Sequence, residues 1–179
     1  GATLTGEFHD FAQVYVNGKY VGKIDRVKNE KSLDLPAAAA GSEMTIVVEG
    51  MGRINFGRAI KDYKGIIGNV TISTADELCD ITLSPKQWNN QIIPDDYKNA
   101  IDALNAPMNR MAGLKTKAGY YRGYFNISKV GDTFMNMEAF GKGQVYVNGH
   151  ALGRFWQIGP QQTLHLPGCW LKKGKNEVI

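Results

Sequence analysis

The sequence predicts an all-β protein made of two related β-sandwich modules. An internal repeat places the same strand and turn pattern in both halves of the chain. Short segments rich in β-branched and aromatic residues alternate apolar and polar positions, as half-buried strands do. Glycine is abundant, with 21 in 179 residues, and supplies the many turns that short strands require.

The internal repeat defines the two modules. The hexapeptide Gln-Val-Tyr-Val-Asn-Gly occurs at residues 13–18 and again at residues 144–149, an offset of 131 positions. Further matches pair 33–36 with 164–167 at that offset, and 41–46 with 174–179 after a slip of two positions. A register held over so long a stretch indicates a duplicated structural unit.

Each copy is predicted to contain two strands joined by a tight turn, followed by a short strand. Val-Tyr-Val places side chains on alternating faces, and Asn-Gly tolerates the positive φ of a hairpin turn. Leu-x-Leu-Pro forms a short strand that proline ends, because proline has no N–H for the ladder. Further predicted elements are strands at 44–49, 65–72 and 79–83, and a helix at 95–104 capped by Asp95 or Asp96.

These elements divide the chain into a first module, a connecting segment and a second module, at residues 1–83, 84–118 and 119–179. The second copy opens with a strand at 120–127 whose counterpart would precede residue 1. The first copy also runs on beyond the point at which the second stops. We therefore expect both modules to be truncated. The open sheet edge would pair between the two halves or, in a strand-exchanged homodimer, between chains.

Composition and charge exclude several classes of protein. The net charge of +4 is spread along the chain without a concentrated basic face, so we expect no nucleic-acid partner. No apolar run is long enough for a transmembrane helix, so we expect no membrane partner. Cys79 and Cys169 lie far apart without a CxxC motif. We favour two buried free thiols, and a disulfide between them stays open.

The polar residues lack the patterns of a catalytic or metal site. A pair of carboxylates for acid and base catalysis must share one site, whereas the Asp and Glu residues fall at predicted strand ends and turns. His9, His150 and His165 do not have metal-ligand spacing. We therefore predict no catalytic residue, no metal site and no cofactor.

Three aromatic residues of the second module are candidates for binding a sugar: Tyr146, Trp156 and Trp170. Aromatic faces stack on the apolar face of a sugar ring while neighbouring polar groups take its hydroxyls. The same residues serve equally well as core or interface anchors. We favour that second interpretation, and both stay open.

Four stretches of the chain resemble a known family. Residues 141–156 read Gly-Lys-Gly-Gln-Val-Tyr-Val-Asn-Gly-His-Ala-Leu-Gly-Arg-Phe-Trp, and 158–167 read Ile-Gly-Pro-Gln-Gln-Thr-Leu-His-Leu-Pro. Residues 47–57 read Val-Val-Glu-Gly-Met-Gly-Arg-Ile-Asn-Phe-Gly, and 62–66 read Asp-Tyr-Lys-Gly-Ile. These stretches closely resemble the motifs of glycoside hydrolase family 35, the β-galactosidases.

The resemblance implies a parent protein in which an N-terminal (β/α)8 barrel carries both catalytic glutamates, with galactose-binding-like jelly-roll domains following it. This chain would be the non-catalytic C-terminal region. The parent would hydrolyse terminal β-D-galactosides with retention, in carbohydrate metabolism. The partner implied for the two modules is the catalytic barrel of the same parent chain, which they would brace.

The resemblance also implies a role for one loop of the first module. In the family, the stretch that matches residues 52–57 reaches the rim of the galactose pocket, which assigns Arg53, Asn55 and Phe56 to that rim. We expect Phe56 to approach the sugar, and Arg53 to hold the loop by donating to backbone carbonyls or a carboxylate. The family often has tyrosine where this chain has Phe56, so a phenolic hydrogen bond would be missing. Gly50 likewise stands where the family usually has asparagine.

Two other functions stay open beside the bracing role. An independent carbohydrate-binding module would hold galactosyl glycans through Tyr146, Trp156 or Trp170, and would expose at least one tryptophan in a shallow groove. Hydrolysis by the chain itself would need a positioned pair of carboxylates. The family implies a periplasmic, secreted or lysosomal parent.

Overall fold

The computed structural model describes residues 1–74, 81–84, 86, 88–93, 96–106 and 119–179. The chain divides into two compact units, residues 1–90 and residues 91–179. Over the described ranges the regular structure consists of β-strands, one α-helix and short 3-10 turns, which confirms the all-β prediction. No helix in these ranges is both long and apolar enough to cross a membrane.

The first unit packs two antiparallel sheets around one core. The larger sheet has the order β4-β1-β6-β7, formed by β1 (Ala2–His9), β4 (Ser32–Leu35), β6 (Gly65–Thr74) and β7 (Ile81–Thr82). The smaller sheet has the order β3-β2-β5, formed by β2 (Phe11–Val16), β3 (Lys19–Asp25) and β5 (Met44–Glu49). The buried core between the two sheets of the first unit consists of Leu4, Phe8, Ala12, Val14, Ile24 and Val70.

The second unit also packs two antiparallel sheets around its own core. One sheet has the order β11-β10-β13-β8, formed by β8 (Gly123–Ile127), β10 (Lys142–Val147), β11 (His150–Trp156) and β13 (Gly174–Val178). The other pairs β9 (Thr133–Asn136) with β12 (Thr163–Leu166). The buried core consists of Met137, Val145, Val147, Phe155, Leu164, Leu166 and Leu171.

The internal repeat is confirmed as a structural repeat. The hairpin β2–β3 and the hairpin β10–β11 have the same register, and each is interrupted at the same place, after Val14 and after Val145. The strand pair β1–β4 of the first unit corresponds to the pair β9–β12 of the second at the repeat offset, so that Ala2 opposite Leu35 corresponds to Thr133 opposite Leu166. Both Asn-Gly turns have the expected positive φ.

The predicted alignment of the two copies adds two positions before the last matched segment. That number is wrong, because the strand pairing requires three. Met44 pairs with Val16 and Val178 pairs with Val147, so Met44 corresponds to Val178. Measured between equivalent residues, the chain from Leu166 to Val178 is therefore three residues longer than the chain from Leu35 to Met44. It contains a 3-10 turn at Gly168–Trp170.

The predicted helix is α1 (Tyr97–Asn105), and it belongs to the second unit. Asp96 caps it by accepting the N–H of Asn99 at 2.9 Å, while the alternative cap Asp95 lies outside the described residues. The Tyr97 ring lies 5.9 Å from the Tyr146 ring, and its hydroxyl donates to Glu177 at 2.7 Å. Helix α1 therefore packs on the second unit.

Several other predictions differ in detail or lie outside the described ranges. The strand predicted at 120–127 is shorter, because β8 begins at Gly123. Cys169 is a free thiol but is exposed, so its predicted burial is wrong. Cys79 and residues 107–118 of the predicted connecting segment are outside the described residues, and the three-part division of the chain stays a prediction.

Candidate functional site

A long exposed loop connects β5 to β6 in the first unit. All side chains from residue 52 to residue 61 are exposed, and Phe56 is 88% exposed. Gly52 and Gly57 have φ of 107° and 96°, which side chains rarely adopt. The two glycines therefore bracket Arg53, Asn55 and Phe56, and the structure places these three predicted residues together in the loop.

A network of charged side chains holds the base of this loop. Asp10, between β1 and β2, accepts from Arg26 at 2.7 Å and from Lys64 at 2.6 Å. Its second oxygen also accepts the backbone N–H of Met51 at 2.7 Å, where the loop begins. Asp10 therefore ties the start of the loop to the sheets.

The far end of the loop is tied to the same network. Asp62 pairs with Lys64 at 2.6 Å and with Arg26 at 2.9 Å, and its side chain is 5% exposed. His9 lies 2.7 Å from the carbonyl oxygen of Tyr63. Two carboxylates and two cations thus close the loop at its base, while its side chains from 52 to 61 face solvent. Arg26 and Lys64 hold the loop, whereas Arg53 is exposed and has no hydrogen bond or ion pair among the described residues, so the expectation that Arg53 holds the loop is wrong.

The pKa values of this network show what chemistry it can perform. Burial raises the pKa of Asp10, but hydrogen bonds from Lys64, Met51 and Arg26 outweigh that effect and bring it to about 2. The hydrogen bond from Lys64 lowers the pKa of Asp62 against the effect of burial, and Arg26 lowers it further. Both carboxylates are ionised at neutral pH, so neither can donate a proton as a general acid.

Reasoning from sequence missed this network, although Asp10 and Asp62 were visible as carboxylates. Its pairs join residues 16, 36 and 54 positions apart, and no periodic pattern marks such contacts. The sequence offered only a weak indication that these charged residues form a network. Asp10 and Arg26 both flank the ends of strands, where charged residues most often face solvent.

The three aromatic candidates of the second unit do not form one cluster. Tyr146 is buried, with 7% of its surface exposed, and packs beside Tyr97. Trp170 stacks on His150 with ring centroids 4.8 Å apart and packs against the core. Trp156 is half-buried and lies 5.9 Å from the amino group of Lys142.

A cavity of about 440 Å³ opens in the second unit, within the size range of small-molecule sites. Its lining includes Tyr120, Tyr121, Arg122, Phe140 and Tyr146. Of the three predicted aromatic residues, Tyr146 lines this cavity and the two tryptophans do not. The cavity offers aromatic faces together with a guanidinium group.

Comparisons with known proteins assign both units to one family. Residues 2–85 match the family described as "Beta-galactosidase, first all-beta domain". Residues 118–176 match the family described as "Beta-galactosidase, galactose-binding domain". Each unit belongs to a domain family of the β-galactosidases.

Individual β-galactosidase relatives agree with this assignment. The chain is 36% identical to human "Beta-galactosidase-1-like protein 2", over 98% of this chain and 26% of the relative. It is 37% identical to rat "Beta-galactosidase-1-like protein 3", over 100% of this chain and 27% of the relative. It is 33% identical to bovine "Beta-galactosidase", over 89% of this chain and 25% of the relative. The chain thus spans about a quarter of the length of these relatives.

The two sites fall in different β-galactosidase domains. The exposed loop and its charged base lie in the first all-β domain, and the cavity with Tyr146 lies in the galactose-binding domain. Neither matched description is that of a catalytic domain. The family assignment therefore agrees with the chemistry of the ionised carboxylates, which are suited to holding the loop.

Proposed function

We propose that this chain forms non-catalytic domains of a family 35 glycoside hydrolase that removes terminal β-D-galactosyl residues with retention of configuration. The motifs quoted above and the names of the relatives support this proposal. In such an enzyme the two units brace the catalytic barrel of the same protein, and the first unit contributes a loop to the rim of the galactose pocket.

The exposed loop is the observation that carries the proposal. A phenylalanine that is 88% exposed adds almost nothing to the folding of its own unit. A charged network nevertheless holds both ends of the loop that presents it. This combination is typical of a side chain that contacts a partner beyond its own domain. In our proposal Phe56 covers the apolar face of the bound galactose, while Arg53 and Asn55 supply hydrogen bonds at the rim.

The test is hydrolysis of a β-galactoside by a full-length enzyme that carries these domains. We expect Phe56→Ala to lower kcat/KM about tenfold, equivalent to ~1.4 kcal/mol of transition-state stabilisation. The matched control is Ile81→Ala, which removes another exposed apolar side chain of the first unit, 49% exposed, from β7. Unchanged kcat/KM in Phe56→Ala would refute a role for the loop at the pocket.

A second candidate function is independent binding of galactosyl glycans by the second unit. The cavity lined by Tyr120, Tyr121 and Tyr146 and the description of the matched domain both favour it. Titration of this chain with galactose, followed by tryptophan and tyrosine fluorescence, tests it. We expect Tyr121→Ala to abolish a saturable response, and a flat response in the parent chain would remove this candidate.

Two further proposals rest on the family resemblance and on the sheet edges, respectively. We place the whole enzyme in a periplasmic, secreted or lysosomal compartment. We also retain the strand-exchanged homodimer, since sheet edges invite pairing with a second chain. Sedimentation of this chain over a range of concentrations distinguishes a monomer from that dimer.

A further inference from the structure

One end of the first unit is open where the equivalent end of the second unit is filled. In the second unit, the connection after β12 carries Trp170, whose ring stacks on His150 at 4.8 Å. Lys19 takes the place of His150 in the first copy, at the repeat offset. The connection after β4 instead has small side chains, with proline, four alanines, glycine and serine at residues 36–42. None of these seven residues has a large side chain, and a concavity of about 720 Å³ remains beside them.

The concavity combines an aromatic face with an apolar wall. Tyr20 lines it with 55% of its surface exposed, and one edge of its ring is supported by Tyr15 at 5.5 Å. Alanines 37–39 and Leu35 form an apolar wall of the same concavity. An exposed ring beside small apolar side chains is the arrangement that accepts the apolar face of a pyranose ring.

Three polar groups of the lining are free to bind a ligand. One oxygen of Asp34 accepts the Thr3 hydroxyl at 3.0 Å, and its second oxygen has no partner among the described residues. The Lys19 amino group and the Tyr20 hydroxyl likewise have no hydrogen-bond partner in that part of the chain. Together they offer an acceptor, a donor and a group that does both, as sugar hydroxyls require.

The charges of the lining favour a neutral ligand. Lys19 and Asp34 are its charged side chains and have opposite signs. A phosphate or carboxylate ligand would meet the Asp34 carboxylate, and a cationic ligand would meet Lys19. We propose that this concavity binds a neutral sugar unit of a glycan, with Tyr20 stacked on the ring and Lys19 and Asp34 hydrogen-bonded to its hydroxyls. The site is additional to the loop and to the cavity of the second unit.

Amide NMR of the isotope-labelled chain titrated with methyl β-D-galactopyranoside tests the proposal. We expect saturable shifts at the amides of residues 17–21 and 37–39. Tyr20→Ala, which alters an exposed residue, should weaken binding about fivefold through loss of the ring contact. Ala39→Trp should abolish these shifts, because it places an indole in the concavity as Trp170 does in the second unit.

Ala40→Trp is the matched control, since Ala40 is exposed but does not line the concavity, and this variant should bind as the parent chain does. Dispersed amide spectra establish that each variant is folded. The proposal is overturned if no shift occurs at 17–21 and 37–39 up to about 100 mM sugar, or if both tryptophan variants shift alike. Shifts confined to residues 119–146 would also overturn it, while supporting sugar binding by the second unit.

Discussion

Asn17 and Asn148 occupy the same place in the two copies of the repeat, with nearly equal φ of 49° and 48°. The side-chain oxygen of Asn17 accepts the N–H of Glu43 at 2.9 Å, and that of Asn148 accepts the N–H of Glu177 at 3.0 Å. Each asparagine therefore both forms the hairpin turn and attaches it to the neighbouring strand. Their surroundings differ, because Asn148 also donates to Asn176, which is fully buried.

Asn148→Ala should lower the free energy of unfolding of the second unit by about 2–3 kcal/mol, because it leaves the buried Asn176 short of a partner. Asn17→Ala should cost about 1 kcal/mol, because its hydrogen bonds are exposed and water replaces them. Urea unfolding followed by fluorescence measures both. Asn148→Gly keeps the positive φ and separates the loss of hydrogen bonds from backbone strain. Equal losses in the two alanine variants would contradict the prediction.

The stability of the first unit should fall in acid as Asp10 takes up a proton. The pKa of Asp10 is lowered from 3.8 to about 2 in the folded state, so the unfolded chain binds the proton first as the pH falls. The stabilisation is present above about pH 4 and is lost between about pH 4 and pH 2. In Asp10→Asn the urea midpoint should vary less with pH over this interval. A slope identical to that of the parent chain would argue against the network.

Phe56→Ala should leave the free energy of unfolding unchanged within about 0.5 kcal/mol, because its ring is almost fully in water. Phe8→Ala is the matched control: the same substitution at a residue that is 2% exposed should cost about 3–5 kcal/mol. Urea unfolding of both variants measures the difference. A large loss in Phe56→Ala would mean that the ring packs within its own unit.

Gly168→Ala should destabilise the second unit by about 1–3 kcal/mol. A Cβ atom at this position would lie 2.8 Å from the carbonyl carbon of Gly131, which is backbone and cannot rotate away. At Gly141 a Cβ atom would meet no heavy atom within 4 Å, so Gly141→Ala should change stability by less than about 0.5 kcal/mol. Thermal unfolding compares the two variants, and similar melting temperatures would contradict the prediction.

Much of the fold could be predicted from sequence because the strands are short, alternating and duplicated. The hairpins, the Leu-x-Leu-Pro strands and the Asp96 cap all follow local rules. The slip before β13 did not, because the alignment matched the identical residues Gly41 and Gly174, which the strand pairing offsets by one position. The longer span contains the 3-10 turn at Gly168–Trp170, where Gly168 lies against Gly131 and donates its N–H to Asp132, a contact between distant positions.

The candidate site was only partly visible in the sequence. The bracketing glycines and the family motif placed Phe56 in an exposed loop. The ionic base of that loop depends on contacts between distant positions, which single-sequence patterns do not encode. Tyr146 lies in an alternating strand, and that pattern alone does not predict whether its side chain is covered. Tyr97 of α1 lies beside it, and the sequence of the strand does not predict this contact with the helix.

The separation between the loop and its charged base has an evolutionary consequence. Residues 52–61 lie in solvent, so substitutions there change the free energy of unfolding little, except at Gly52 and Gly57 with their positive φ. Asp10, Arg26, Asp62 and Lys64 keep the two ends of the loop in place. Selection can therefore change the side chains of the loop without passing through unstable intermediates. Members of one lineage could diversify in this loop while inheriting an unchanged scaffold.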